Sequence, residues 1–191
     1  MLKMILVDNH DERSEALVET LKSADFEIIA RFNDADNLDE AVNRLNPDIV
    51  IIDTDSPNRD TLENLVVMRA NSPRPVVMFA HDNDADKIKL ATRAGVCAYI
   101  VGDLPATRLK TVMNAAIARF EEFSYLREEI VTANTKLAER KIIERAKGLI
   151  MKQKNIDEAE AYRLMRETAM KNNQKLVVLS ERIVEAAYLL L

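Results

Sequence analysis

The chain has 191 residues, nearly half of them apolar, which is enough for one ordinary domain plus a smaller one and excludes a disordered polypeptide. One cysteine, Cys97, and two histidines, His10 and His81, exclude an internal disulfide and a zinc site built from those residues. The formal net charge is −5, but residues 1–120 carry 14 basic and 20 acidic side chains while residues 121–191 carry 13 and 12, so the two parts are expected to do different work.

No apolar stretch is long enough to cross a bilayer and no basic-then-apolar leader opens the sequence, so a soluble cytoplasmic protein with no membrane partner is expected. Short apolar runs recur at Met4–Val7, Glu27–Phe32, Ile49–Ile52, Val76–Phe79 and Ala98–Val101. Helix-compatible segments separate them at Asp11–Ser23, Asp34–Leu45, Asp60–Ala70 and Asp84–Ala94. The alternation predicts an α/β domain around a five-stranded parallel sheet, since continuous apolar runs suit strands covered on both faces. Function in such folds sits beyond the carboxyl ends of the strands, which here present Asp8, Asp53 and His81.

Asp8 ending the first strand and Asp53 ending the third, with Pro57 shortly after and Pro75 opening the fourth, resemble a response-regulator receiver domain of flavodoxin-like topology over residues 1–120. The resemblance implies an acidic pocket at Asp8 and Asn9, a phosphoacceptor at Asp53, and magnesium held between Asp8 and Asp53, since hard oxygen ligands suit that ion. Three positions depart from the family pattern: Asn9 replaces the second acid, Ala80 the strand-four hydroxyl and Gly102 the strand-five lysine. A degenerate receiver used as a docking and dimerising platform is therefore expected, the alternative being a phosphorylation-gated regulator using Asp53. Asp53-Thr54-Asp55 also has the D-x-D spacing of a haloacid-dehalogenase-type phosphatase, but it follows the third strand rather than the first, and loop aspartates commonly satisfy turn amides. No catalytic residue and no enzyme activity is expected. His81, Asp82, Asp84 and Asp86 read as a helix-starting loop.

From Leu109 onward Val112, Ala116, Phe123, Leu126, Ile130, Ala133 and Leu137 follow steps of three and four, interrupted only by Arg119, and no glycine or proline falls between Ala106 and Lys147. One long helix is predicted, with 121–138 as a coiled-coil linker whose dimer seam is Phe123, Leu126, Ile130 and Leu137. The helix runs on through Ile142, Ala146 and Leu149 to Asn155-Ile156-Asp157, where Asp157 and Glu160 have the spacing of a capping box for a second helix. Asn172-Asn173 ends that helix, and Leu176, Leu179, Ile183, Ala187 and Leu190 mark a third.

Residues 140–175 hold ten basic against five acidic side chains, a cationic segment in an acidic chain that suits a polyanion. The blocks Ala146-Lys147-Gly148-Leu149-Ile150-Met151, Glu160-Ala161-Tyr162 and Ala169-Met170-Lys171-Asn172-Asn173 closely resemble the ANTAR domain over residues 139–191, with Ser180 where the family has alanine. Together with a degenerate receiver, they resemble the AmiR/NasT group of nitrate-assimilation antiterminators. That resemblance implies binding of paired leader-RNA hairpins to prevent termination, and restraint by a ligand-sensing regulatory protein of the nitrate-sensor type. The expected RNA contacts are Lys147, Lys152, Arg166, Lys171 and Lys175, with Arg140 on the Lys147 face, and with Gly148 allowing close approach of RNA or another helix. Arg145 and Arg163 read as solvated.

Overall fold

The computed structural model describes residues 1–8, 11–102 and 104–189, so Asn9, His10, Asp103, Leu190 and Leu191 lie outside the described residues. Strands β1 (Leu2–Asp8), β2 (Phe26–Phe32), β3 (Ile49–Thr54), β4 (Val76–Ala80) and β5 (Ala98–Val101) form one sheet in the order β2-β1-β3-β4-β5. Every pairing is parallel. Between them run α1 (Asp11–Ser23), α2 (Leu38–Leu45), α3 (Arg59–Asn71) and α4 (Ala85–Ala94), followed by α5 (Ala106–Lys154), α6 (Glu158–Lys171) and α7 (Leu176–Leu189).

The two faces of the sheet explain its apolar runs. Alternate residues point to opposite sides. Ile5, Val7, Val50, Ile52, Val76 and Met78 pack against Leu38 and Val42 of α2, Leu65 and Met68 of α3, and Ala91 of α4. Met4, Leu6, Ile49, Ile51, Val77 and Phe79 pack against Leu21 of α1 and Leu109, Met113 and Ala116 of α5. The central strands need apolar residues at every position, and the doubly wound fold follows.

Helix ends are set by side chains. Asn58 accepts the Thr61 amide, Asp84 those of Asp86 and Lys87, and Asp157 that of Glu160. The second helix starts at Leu38 rather than Asp34, because Asp34 instead accepts the Asp36 amide at 3.0 Å in a local turn and Asn37 adopts φ 55°. Gly95 closes α4 at φ 116°, where a Cβ would stand 2.9 Å from the Arg69 side chain.

Helix α5 runs unbroken for 49 residues, and the chain divides within it into units Met1–Ser124 and Tyr125–Leu191. In the second unit Ala146 of α5 and Ala161, Met165 and Ala169 of α6 are buried and form its small apolar core. Asn155 and Asn173, at φ 50° and 49°, take the left-handed turns glycine would otherwise fill. Ser180 is fully buried, and its hydroxyl donates to the Leu176 carbonyl at 2.8 Å, so the serine that departs from the ANTAR pattern leaves no orphan polar atom.

Candidate nucleic-acid interface and receiver site

At the carboxyl ends of the strands Asp8 and Asp53 are register partners on β1 and β3, and both are buried, at 3% and 4% exposure. Buried carboxylates require compensation. Arg31 of β2 supplies part of it, its guanidinium donating to Asp8 Oδ2 at 2.9 Å. On the far side Ala80 is buried, and Gly102, at φ 74°, donates its amide to the Ala80 carbonyl at 3.0 Å, so neither a hydroxyl nor an ammonium stands at those positions. Magnesium prefers six oxygen ligands. Asp8 and Asp53 are the carboxylates that β1 and β3 bring into register here, Arg31 bonds Asp8, and no group of three His, Cys, Asp or Glu side chains placed to hold a metal occurs among the described residues.

A second network joins the loops after β3 and β4. The amides of His81 and Asp82 donate to the Asp55 carbonyl at 3.1 and 3.0 Å. Ser56 Oγ donates to Asp82 Oδ2 at 2.8 Å, Lys87 Nζ reaches the same oxygen at 2.5 Å, and the Tyr99 hydroxyl donates to the Asp82 carbonyl at 2.9 Å. Bonding from Lys87, then from the Asp84 amide and Ser56, holds the Asp82 carboxyl down at about 2. Asp84 and Asp82 are thus committed to a cap and a latch.

In the second unit the cations divide into two groups. Lys147, predicted from sequence as an RNA contact, is only 6% exposed and lies in the α5–α6 contact, its Nζ 2.6 Å from Glu144 and 2.7 Å from Glu158. Those two carboxylates, Glu144 first, hold its ammonium above the ordinary value. Within the row Arg140, Glu144, Lys147 and Met151, Lys147 is thus turned toward α6, and of the two basic members only Arg140 is well exposed. The open row on α5 is instead Lys141, Arg145, Gly148 and Lys152, spaced four, three and four and all exposed. Gly148 lies in its middle, and a Cβ there would meet nothing within 4 Å, so no neighbour among the described residues explains the glycine.

Arg145 is not merely solvated. Its guanidinium lies over the Tyr188 ring, 4.8 Å from the centroid, and Nη2 donates to the Tyr188 hydroxyl. On α6 Arg166 and Lys171 are exposed, Arg166 one turn from the exposed Tyr162 and Met170; Lys175, in the turn before α7, is also exposed. Arg163 makes only a loose 3.9 Å pair with Glu160. Along α5 the expected seam residues Phe123, Leu126, Ile130 and Leu137 are 42% to 62% exposed, as are Tyr125 and Val131.

The family model of the response regulator receiver domain matches residues 4–114, over half the chain, and that of the ANTAR domain matches residues 132–184. The chain belongs to the response-regulator family. This response regulator joins a receiver domain to an ANTAR domain, and it is a regulator rather than an enzyme. It is 28% identical over 169 residues to the transcriptional regulatory protein PdtaR of Mycobacterium tuberculosis, covering 88% of this chain and 82% of the relative. Its receiver is 30% identical over 120 residues to the chemotaxis protein CheY of Listeria monocytogenes, covering 61% of this chain and 98% of that one. In fold it is similar to the signal receiver domain of a modulated diguanylate cyclase from Desulfovibrio desulfuricans, with TM-score 0.56 and 18% identity over 63% of this chain and 97% of the other.

Three functional features of this response regulator escaped sequence reasoning: Arg31 at Asp8, the Ser56–Asp82–Lys87 latch and the Arg145–Tyr188 pair. The spacing of Lys141, Arg145, Gly148 and Lys152 could have shown the open row. The Arg31–Asp8, Ser56–Asp82 and Arg145–Tyr188 pairings join residues 23 to 43 positions apart and follow only from the tertiary arrangement.

Proposed function

We propose that this response regulator is an RNA-binding transcription antiterminator that grips paired hairpins of a leader RNA and keeps the terminator from forming. The observation that carries this reading is the exposed row Lys141, Arg145, Gly148 and Lys152, which gathers cations around a side-chain gap on an ANTAR domain inside an otherwise acidic chain. Cations neutralise the closely spaced phosphates of a folded strand. The gap at Gly148 lets a sugar or base edge reach the helix surface, with Lys152, Arg166, Lys171 and Lys175 as further contacts.

The receiver supplies control. With Arg31 on Asp8, alanine at position 80 and glycine at 102, control runs through a bound ligand-sensing protein of the nitrate-sensor type rather than through magnesium and phosphate on Asp53. Covering the cationic row by that partner lowers the RNA-competent population, and release restores it. The regulated genes are those of nitrate and nitrite assimilation, and the functional form is a homodimer joined through Phe123, Leu126, Ile130 and Leu137. Fluorescence anisotropy with paired-hairpin leader RNAs tests the reading: cognate hairpins bind tightly and scrambled, unstructured strands of equal length do not. Equal affinity for both refutes hairpin recognition.

A further inference from the structure

Tyr188 presents an aromatic ring on the surface at 59% exposure, in a chain with only nine aromatic residues. The ring is oriented by Arg145 of α5, which lies over one face and also bonds its hydroxyl, so a side chain with two rotatable angles is held in one place. Arg145 belongs to the open cationic row, which brings this aromatic surface beside Lys141, Gly148 and Lys152. Glu185 and Glu181, one and two turns before Tyr188 on α7, are exposed carboxylates, and Arg182 beside them is bonded to Gln174 at 3.1 Å. Phosphate is therefore repelled from the α7 side and drawn to α5, whereas an uncharged base meets no such penalty.

We propose that the Tyr188 ring, backed by Arg145, is a stacking platform for one unpaired nucleobase of a hairpin loop whose phosphates lie along the α5 row. The proposal rests on the RNA-binding reading and adds a base-contacting subsite to it. Arg145 acts twice, orienting the ring and enriching its cation–π character, and RNA proteins commonly hold splayed loop bases on such surfaces.

The test begins by selecting hairpins with randomised loops on the full-length chain at low salt. The enriched RNA is then remade with iodouracil or azidoadenine at each unpaired loop position in turn. One loop position is expected to photocrosslink to Tyr188 in the wild-type chain. Tyr188→Leu weakens binding about 10-fold, while Tyr188→Phe, which keeps the ring, stays close to wild type. Crosslinks that all fall elsewhere overturn the platform, and they decide the matter even if Tyr188→Leu fails to fold. Unchanged affinity in a folded Tyr188→Leu chain with a lowered melting temperature also overturns it, and identifies the pair as a helix staple only. If no hairpin is enriched, the RNA-binding reading falls and the platform falls with it.

Discussion

Lys147 of α5 and Glu158 of α6 meet at 2.7 Å, with Glu144 at 2.6 Å on the other side of the same ammonium. The lysine in the middle of the ANTAR sequence block is thereby a structural cation of the helical unit. Lys147→Ala is expected to lower the thermal midpoint of unfolding, whereas Lys152→Ala leaves it unchanged and instead weakens RNA binding and lowers the salt slope by about 0.7. Because the ammonium is held above its ordinary value of 10.5, its contribution is complete below that pH and is lost as pH rises past the elevated value. Calorimetric melts of both variants, beside RNA titrations at several salt concentrations, separate the two roles.

Gly148 offers a sharper separation. A Cβ there meets nothing within 4 Å among the described residues, and alanine favours a helix over glycine by about 1 kcal/mol. Gly148→Ala should therefore raise stability by roughly 0.5–1 kcal/mol while reducing RNA affinity. Denaturant melts and anisotropy on the same preparation check both halves. A variant that is more stable and binds RNA undiminished would show that the glycine gap is not used.

In the receiver, Asp82 should mark the acid limit. Its carboxyl is depressed from 3.8 to about 2 by Lys87 first, then by the Asp84 amide and Ser56. Stability from the latch is thus present above the unfolded value near 3.8 and is lost as pH falls toward 2. Asp82→Asn flattens the stability profile over that interval and leaves neutral-pH RNA binding intact, as chemical denaturation at stepped pH will show.

Arg31→Ala removes a charge-assisted bond to a fully buried carboxylate and is expected to cost about 1.5–3 kcal/mol. Wild-type protein incubated with a small-molecule phosphodonor and magnesium should stay at its unmodified mass. Stoichiometric phosphoryl transfer to Asp53, seen by intact mass spectrometry, would restore the phosphorylation-gated alternative.

The fold was legible because its physics is local. Five apolar runs, separated by helix-compatible segments, leave little choice of architecture, and Asp157 with Glu160 fixed the start of α6. The candidate site was less legible. Helical spacing placed Arg140 and Lys147 on one face, but only tertiary packing decides that this face meets Glu158 while the row one residue along stays open. Asp34 illustrates the same limit in the receiver, where a side chain suited to starting a helix forms a turn instead.

The exposed α5 seam has a direct check. Ile130→Glu with Leu137→Glu puts like charges into the proposed dimer contact, and sedimentation equilibrium should shift from dimer to monomer mass.

The most direct measurement is the salt dependence of hairpin-RNA affinity for the full-length chain, compared with a variant in which Lys141, Arg145 and Lys152 are all replaced by glutamine. Cationic gripping by the open α5 row predicts that wild-type affinity falls steeply with salt and that the triple variant binds more weakly with a shallower slope. Wild-type protein that ignores stem-loop RNA at low ionic strength, both intact and with residues 1–124 removed, contradicts it.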